Sequence, residues 1–581
     1  MRKIAVLIVV CTLVLGVLPA STAAAAPIAD LTALARYFPD TAPLFIATRT
    51  DDGFIESLDG LLAQVAVHIP DAMPRGFSLS AALDQTAGQI SGGAGDFETV
   101  FRPWLGDFAA IGLPAMADLT ETSAGIGPIL IAVSITDAAA LETWLTDLFD
   151  RVGQDVERTE GDGYVVLDLA VRARQQQHLY FLIRDNVLLI ANDMERMPVA
   201  GAASLAEAER FTEVMGLLPA DDYSIAAYLD VQAFGRYSLE MSAAMQPDMP
   251  DMSTWMDLAG AQAWGFTLLN GEALTMDLVQ TPGDLSALED MGIPVGAAMQ
   301  SVPVDLGFAA HVPADAPLVI LGTDLGPGAL ARLEALQAML PILEEQMQAM
   351  PNGEEALEEM NIEGALNLLR MTFTGFTGLQ LEDVLAWMDG NFALYARMIE
   401  PENAIPGLPM TFDLAAVIET SDPAGTQALM DGLENGLDRY NQNFSREQVG
   451  SADVIVLPDL IENLMENLPA TADAPELDLV IGANDTVFVA GTRAAATYSL
   501  APDGDSLAQN PAVLAAQAYL LPDTVQMWYA DLGALADLIE TLAPREQETA
   551  MALRLFSTAT ISSTTAGDGT SMARFVITLA E

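Results

Sequence analysis

Cysteine, lysine and histidine are nearly missing from this chain of 581 residues. The single cysteine, Cys11, and the single lysine, Lys3, both lie within the first 25 residues. Beyond that point the chain can form no disulfide, thiolate nucleophile, lysine Schiff base or lysine-containing phosphate loop. The three histidines, His68, His178 and His311, are far apart and match no zinc-binding spacing. Many familiar catalytic and metal-binding chemistries are therefore excluded, and we predict no metal and no cofactor.

Positive charge is also scarce. Lysine and arginine together number 23 against 81 aspartates and glutamates, which gives a formal net charge of −58. Binding to phosphate groups requires clustered cations, so we expect no nucleic acid as a partner, and anionic membranes are poor partners for such a surface. Hydrophobic residues still make up 51% of the chain, which indicates a globular protein with large cores.

Only the N-terminus has a long apolar run. Arg2 and Lys3 precede the apolar residues 4–18, and the small residues of "PASTAAAAP" follow. This pattern predicts a signal peptide over residues 1–25, removed after Ala25. Cys11 follows Val10 inside the apolar run, which argues against lipidation. We expect an exported protein, periplasmic, cell-surface or extracellular, with no transmembrane segment in the mature chain.

Six sequence blocks occur twice, in the same order. "YFPDTAPLFI" from Tyr37 matches "HVPADAPLVI" from His311 at an offset of 274 residues, and "ETVFRPWLGDFA" from Glu98 matches "EDVLAWMDGNFA" from Glu382. Later blocks share a strand and a helix cap (Asp137, Asp422), a polar turn, a Tyr-x-Asp pair ending in Asp230 and Asp531, and a closing hairpin. The repetition predicts two copies of one unit, residues 30–285 and 303–581, joined by a linker over residues 286–302.

Within each predicted copy, helical segments alternate with short strands joined by tight polar turns. Asp185-Asn186 and Asn484-Asp485 supply turn residues that tolerate positive φ. We therefore predict an α+β fold made of two tandem copies of one unit, each a mainly antiparallel sheet with helices packed on it. Asp230 and Asp531, at the ends of strands, are predicted to cap the helices that follow.

Two motifs resemble those of a known group. The residues Tyr-Phe-Pro-x-x-x-Pro-Leu-Phe (37–45) and Arg-Pro-Trp-Leu-Gly-Asp (102–107), together with the export signal, resemble an uncharacterised family of exported bacterial proteins that carry a domain of unknown function. The resemblance implies neither an activity nor functional residues. In the second copy Met388-Asp389 replaces the Trp-Leu pair, which suggests a relaxed packing role there.

A cluster of methionines is the most unusual local feature. It comprises Met241, Met245, Met249, Met252 and Met256. Their spacing of three or four residues is typical of one apolar helix face, interrupted here by Pro247 and Pro250. Thioethers also bind Cu(I), but packing in a core or interface is the favoured interpretation and an apolar ligand groove is second. We take these five methionines as the candidate ligand-binding residues.

Two functional hypotheses remain. The poverty of catalytic residues favours a non-catalytic exported scaffold, associated with the cell envelope or binding an apolar ligand or protein partner. The alternative is a secreted hydrolase that uses two carboxylates, since that chemistry requires neither lysine nor cysteine. It would need two acidic side chains facing each other in one deep cleft, with Asp230, Asp531, Glu98 and Glu382 as the recurring candidates.

Overall fold

A computed structural model describes residues 25–580, apart from twelve gaps. These are residues 69–77, 94, 117–128, 173–175, 198–201, 246–255, 270–272, 287–301, 349–361, 400–410, 459–477 and 544. The predicted signal peptide and most of the predicted linker thus lie outside the described residues. The chain divides into two compact units; one ends at Asp284 and the other continues from Leu285.

The first unit contains an antiparallel sheet. Its main strands are β1 (Leu44–Arg49), β2 (Leu105–Leu113), β3 (Leu130–Ile135), β4 (Val156–Gly161), β5 (Tyr164–Arg172), β6 (Gln176–Arg184), β7 (Val187–Ala191), β8 (Ile225–Asp230), β9 (Ala259–Leu269) and β10 (Ala273–Pro282). They pair in the order β10-β9-β8-β1-β2-β3-β7-β6-β5-β4. A two-residue strand, Ala26–Pro27, also pairs with Asp222–Tyr223.

Seven α-helices accompany these strands in the described part of the unit. They are α1 (Ile28–Leu31), α2 (Asp52–His68), α3 (Leu79–Ser91), α4 (Phe97–Val100), α5 (Ala138–Val152), α6 (Glu209–Gly216) and α7 (Val231–Met245). Short 3₁₀ helices span Thr32–Tyr37, Met194–Arg196 and Leu205–Glu207. The apolar faces of α2, α3 and α5 pack on the sheet and form one core with β3, β6 and β7.

The second unit also contains antiparallel strands. Its strands are β11 (Leu318–Thr323), β12 (Asn391–Ile399), β13 (Thr411–Glu419), β14 (Ser445–Val449), β15 (Ala452–Leu457), β16 (Leu479–Ala483), β17 (Val487–Thr492), β18 (Gln526–Asp531), β19 (Phe556–Thr565) and β20 (Ser571–Leu579). They pair in the order β20-β19-β18-β11-β12-β13-β17-β16-β15-β14.

Eight α-helices belong to the described part of this second unit. They are α8 (Leu325–Gln348), α9 (Ile362–Thr377), α10 (Leu381–Ala386), α11 (Pro423–Arg439), α12 (Arg493–Leu500), α13 (Pro511–Gln517), α14 (Leu532–Leu542) and α15 (Gln547–Leu553). Two 3₁₀ helices span Leu306–His311 and Leu507–Gln509. The mixture of helices with large antiparallel sheets confirms the predicted α+β class. No described helix is both long enough and apolar enough to cross a membrane.

Local sequence signals account for several element boundaries. The side chain of Asp137 accepts a hydrogen bond from the backbone N–H of Ala140 and caps α5, and Asp422 caps α11 in the same way. The turn between β6 and β7 uses Asp185 and Asn186 with positive φ, as predicted.

Two expectations about the second unit were wrong. Asn484 does not adopt positive φ; its side chain instead accepts hydrogen bonds from the N–H groups of Thr486 and Val487 and so makes the turn. The packing role of the tryptophan block is not relaxed either. Trp387 and Met388 are both buried, because a shift of one residue still leaves an indole in the core.

Candidate functional site

Helices cover one face of the sheet of the second unit around strand β11. Because side chains alternate along a strand, Val319 and Leu321 of β11 point to the same side. On that side they pack in a core with residues from the 3₁₀ helix Leu306–His311 and from α12 and α13. Helices therefore cover this face over the residues of that core.

The opposite face of the same sheet is covered only at one end of its strands. Gly322, Phe392, Ile418 and Phe488 lie side by side on four neighbouring strands. The last three pack in a core with residues of α10 and α11 and with Trp387, which follows α10. The helices therefore close the face along this first row.

Two further rows of apolar side chains lie on the same face, beyond the helices. The second row consists of Trp528, Ile320, Leu394, Ala416, Ala490 and Ile481, each opposite the next in register. The third row contains Ala530, Leu318, Ala396 and Leu414, followed by the paired residues Thr492 and Leu479. Rows of apolar side chains that are aligned across six strands are typical of a buried core surface. Here much of this surface faces solvent.

These two rows line a concavity of about 530 Å³, which we call the sheet groove. We define it by Leu318, Ile320, Leu394, Ala396, Leu414, Ala416, Leu479, Ala490, Thr492 and Trp528. Three large side chains are strongly exposed, with 43% of Leu318, 50% of Leu414 and 47% of Trp528 accessible. Thr492 is the one polar side chain in this set. Clustered exposed apolar groups of this kind are typical of a binding surface.

A buried ion pair lies on the helix-covered face of the strands that form the sheet groove. Arg397 lies 2.6 Å from Asp413 and 3.6 Å from Asp315, and Asp413 is only 2% exposed. Asp413 also accepts a hydrogen bond of 2.7 Å from the Thr492 hydroxyl. The buried carboxylate is therefore paired and hydrogen-bonded, as a buried charge must be.

A separate cavity lies inside the first unit. It has a volume of about 80 Å³ and is walled by apolar residues of α2 to α5 and of the sheet, with Arg49 and Thr50 at one side. Phe101, Trp104 and Trp144 form an aromatic cluster in its wall, with ring centroids 5.2–5.7 Å apart. The guanidinium of Arg49 is held by Asp51 at 2.7 Å. This cavity is small, and it lies within the helix-covered core.

The structure places only part of the predicted methionine site. Met241 lies on α7 and is 37% exposed, Met245 ends that helix, and Met249 and Met252 lie outside the described residues. The sulfur of Met256 lies against Gly235 of α7 and occupies the space that a Cβ there would fill. Met256 thus packs on the helix, while a ligand role for the cluster stays a prediction.

His178 and His311 have described side-chain contacts, and neither contact joins the ring to a serine hydroxyl. His178 lies within β6, and its Nδ1 is 2.7 Å from Asp168. His311 Nδ1 contacts the carbonyl oxygen of Ser499, and the Ser499 hydroxyl donates to the carbonyl oxygen of His311. Burial raises the pKa of the neighbouring Tyr395 to about 12, so its hydroxyl stays protonated and donates to the carbonyl of Ala495.

Neither of the two concavities described above holds the pair of acidic side chains that a hydrolase requires. No carboxylate lines either the sheet groove or the cavity of the first unit. Glu98 lies 4.0 Å from Arg102, whereas Glu382 lies 2.6 Å from Arg370, so these two acids have different arginine partners. Within the described ranges, no group of three or more acidic or histidine side chains could hold a metal ion.

Asp230 and Asp531 are helix caps, as predicted. Asp531 accepts from the N–H of Ala534, and Asp230 accepts from Ala233 while also binding Arg210 at 3.0 Å. Replacing Asp531 with alanine should lower the free energy of unfolding by about 1 kcal/mol, the usual contribution of a cap. Asp230→Ala should cost more, because it also removes the partner of Arg210. Urea denaturation of both variants checks this order, and an equal or smaller loss for Asp230→Ala would contradict it.

The sequence contained the residues of the sheet groove but gave no sign of their exposure. Leu318 and Leu394 lie in apolar runs that predict core strands, and nothing in those runs indicates which face a helix covers.

Comparison with known proteins gives one match. A family model described as "Protein of unknown function (DUF3352)" matches residues 4–580. No curated protein and no solved structure matches the chain.

Proposed function

Since this chain belongs to the family of unknown function DUF3352, its own geometry is the guide to its role, and we propose that it is a non-catalytic exported protein that binds an apolar ligand in the sheet groove. The observation that carries this proposal is the open apolar face of the second unit's sheet. Soluble proteins rarely leave contiguous apolar side chains such as Leu318, Leu414 and Trp528 in water without a use for them.

We also propose that the two units are copies of one duplicated unit and that the groove arose in one copy. The two units have the same strand order, and several contacts recur at equivalent places. Pro39 bridges Ser204 as Pro313 bridges Ser506. The N–H of Asp230 donates to the Pro43 carbonyl as that of Asp531 donates to the Pro317 carbonyl, both at 2.8 Å. A family alignment in which the two halves could not be superimposed on one pattern would count against a duplication.

The two units differ at the face that forms the groove. In the first unit Ile131, Ile190 and Phe181 occupy equivalent places on the sheet and are buried beneath helices. In the second unit the corresponding Ala416, Ala490 and Ile481 lie at the margin of the helix layer. We infer that one unit retained a closed core while the other acquired a binding surface.

The carboxylate-dependent hydrolase is the weaker candidate. It requires two acidic side chains in one cleft, and the described clefts are apolar. The recurring acids Asp230 and Asp531 already have structural partners in helix caps. A hydrolase would also leave the exposed apolar rows without a role.

Native mass spectrometry of the chain purified from its host tests both parts of the proposal. Export predicts a mass that begins after Ala25, and binding predicts an additional mass that organic extraction removes. A full-length N-terminus would contradict export. The ligand proposal fails if the extracted protein shows no uptake of the neutral apolar probe 1-N-phenylnaphthylamine.

A further inference from the structure

We infer that the cavity of the first unit is a second ligand site, which takes one small apolar molecule of roughly three or four heavy atoms. The inference goes beyond the proposed function, because it assigns a site to the other unit and does not depend on a ligand in the sheet groove. Three properties of the cavity support it: its place on the sheet, the chemistry of its wall and its volume.

The cavity lies beside the sheet at a place equivalent to the sheet groove. Its wall includes Ile131 of β3 and Ile190 of β7, which pair in register. Strands β13 and β17 hold the same positions in the strand order of the second unit, and there Ala416 pairs with Ala490 in the sheet groove. A packing defect that arose by chance would not be expected at the same place in both units. The larger isoleucine side chains leave a smaller space in the first unit.

The wall of the cavity is almost entirely aliphatic and aromatic. The two hydrophilic side chains that line it already have partners. The Arg49 guanidinium donates to Asp51 at 2.7 Å, and the Thr50 hydroxyl donates to the carbonyl oxygen of Gly106 at 2.7 Å. A buried water molecule needs about two to four polar partners, so this wall favours an apolar occupant over water. An apolar ligand gains dispersion contacts with the surrounding side chains.

The volume of the cavity limits the size of its ligand. An engineered apolar cavity of about 150 Å³ binds benzene or xenon. The cavity of the first unit has about half that volume, about 80 Å³. By proportion it suits xenon or a hydrocarbon of roughly three or four carbon atoms rather than a six-membered ring. Phe101, Trp104 and Trp144 pack against one another in its wall, and such close packing resists both collapse and expansion.

NMR of isoleucine δ1-methyl groups in the chain without its predicted signal peptide tests the inference. Xenon and cyclopropane should shift the methyl signals of Ile131 and Ile190, which line the cavity. Ile320 lines the sheet groove and reports on binding in the second unit. Benzene should bind about tenfold more weakly than cyclopropane, or less, because it is too large. Acetonitrile, which has as many heavy atoms as cyclopropane, should also bind about tenfold more weakly, because the wall offers its nitrogen no partner.

Two adjacent buried alanines on β2 provide a matched pair of variants. Ala109 lines the cavity, whereas the side chain of Ala110 points to the opposite face of the sheet. Ala109→Val places two methyl groups in the cavity and should abolish the xenon shifts of Ile131 and Ile190. Ala110→Val makes the same change outside the cavity and should preserve them. If a valine variant does not fold, Leu83→Ala replaces it: this change enlarges the cavity, so benzene should then bind.

The outcomes separate the two sites. The inference is overturned if xenon leaves Ile131 and Ile190 unchanged, or shifts them equally in Ala109→Val and in the wild type. Benzene that binds the wild type as tightly as cyclopropane overturns the size limit, and acetonitrile that does so overturns the apolar class. Xenon shifts at Ile320 alone overturn the inference and leave the proposed function standing. Shifts at Ile131 without uptake of 1-N-phenylnaphthylamine support the inference and contradict the proposed function.

Discussion

Replacing Leu414 with glutamine will weaken binding of 1-N-phenylnaphthylamine by about 10- to 100-fold and leave the fold intact. Leu414 contributes a large apolar side chain to the groove and is half exposed in the free protein. Binding would bury the exposed half of the leucine, whereas glutamine would also have to desolvate its amide, and together these effects correspond to about 1.5–3 kcal/mol of binding free energy. Little stability should be lost, because the glutamine amide can remain in water when no ligand is bound. Fluorescence titration gives the affinity, and circular dichroism on heating gives the melting temperature.

Leu514→Gln is the matched control for this variant. Leu514 is also 50% exposed and belongs to the same unit, but it lies on α13, outside the sheet groove. The same change of side chain there should leave the affinity within about twofold of the wild-type value, since surface substitutions away from a site have small effects. Equal losses in the two variants would show that the probe does not bind in the groove.

Replacing Asp413, the residue next to Leu414, with alanine will cause a large loss of stability. Its carboxylate is almost fully buried and holds both Arg397 and the Thr492 hydroxyl. Removing one partner of such a pair leaves the other charge poorly solvated, which typically costs 3–5 kcal/mol. We expect the free energy of unfolding to fall by about that amount, measured by urea denaturation with the transition of the second unit analysed separately.

A second carboxylate beside Arg397 supplies the control. Asp315 lies 3.6 Å from the same guanidinium but is 68% exposed, so Asp315→Ala should cost less than about 1 kcal/mol. Combining Asp413→Ala with Arg397→Met should restore part of the loss, because no charge then remains without a partner. The explanation is wrong if Asp315→Ala is as damaging as Asp413→Ala, or if the double variant is less stable than Asp413→Ala alone.

Local signals in the sequence predicted much of the fold because short-range chemistry determines those features. The side chains of Asp137 and Asp422 cap the helices that begin at the next residue. Asp185 and Asn186 make a hairpin turn with positive φ. The α+β class followed from many such signals taken together. These features depend on neighbours within a few residues, which a single sequence displays directly.

The binding surface could not be predicted in this way because it depends on where helices fail to cover a sheet. Strand β11 is apolar on both faces, as "LVILGT" shows, so it is predicted to be buried on both. Whether Leu318 meets a helix or water depends on residues of α10 and α11, far away in the sequence. The methionine cluster was a clearer signal in the sequence than the residues of the sheet groove. An unusual composition does not, however, show which side chains form an exposed surface.

The cavity of the first unit has a consequence for how the protein responds to pressure. Unfolding removes internal voids, so a unit that contains one shrinks in total volume when it unfolds. A void of about 80 Å³ is about 50 mL/mol, and the volume change of unfolding scales with the void volume that is lost. The sheet groove of the second unit is open to solvent and should contribute much less. Hydrostatic pressure should therefore unfold the first unit more readily than thermal or chemical stability alone would suggest.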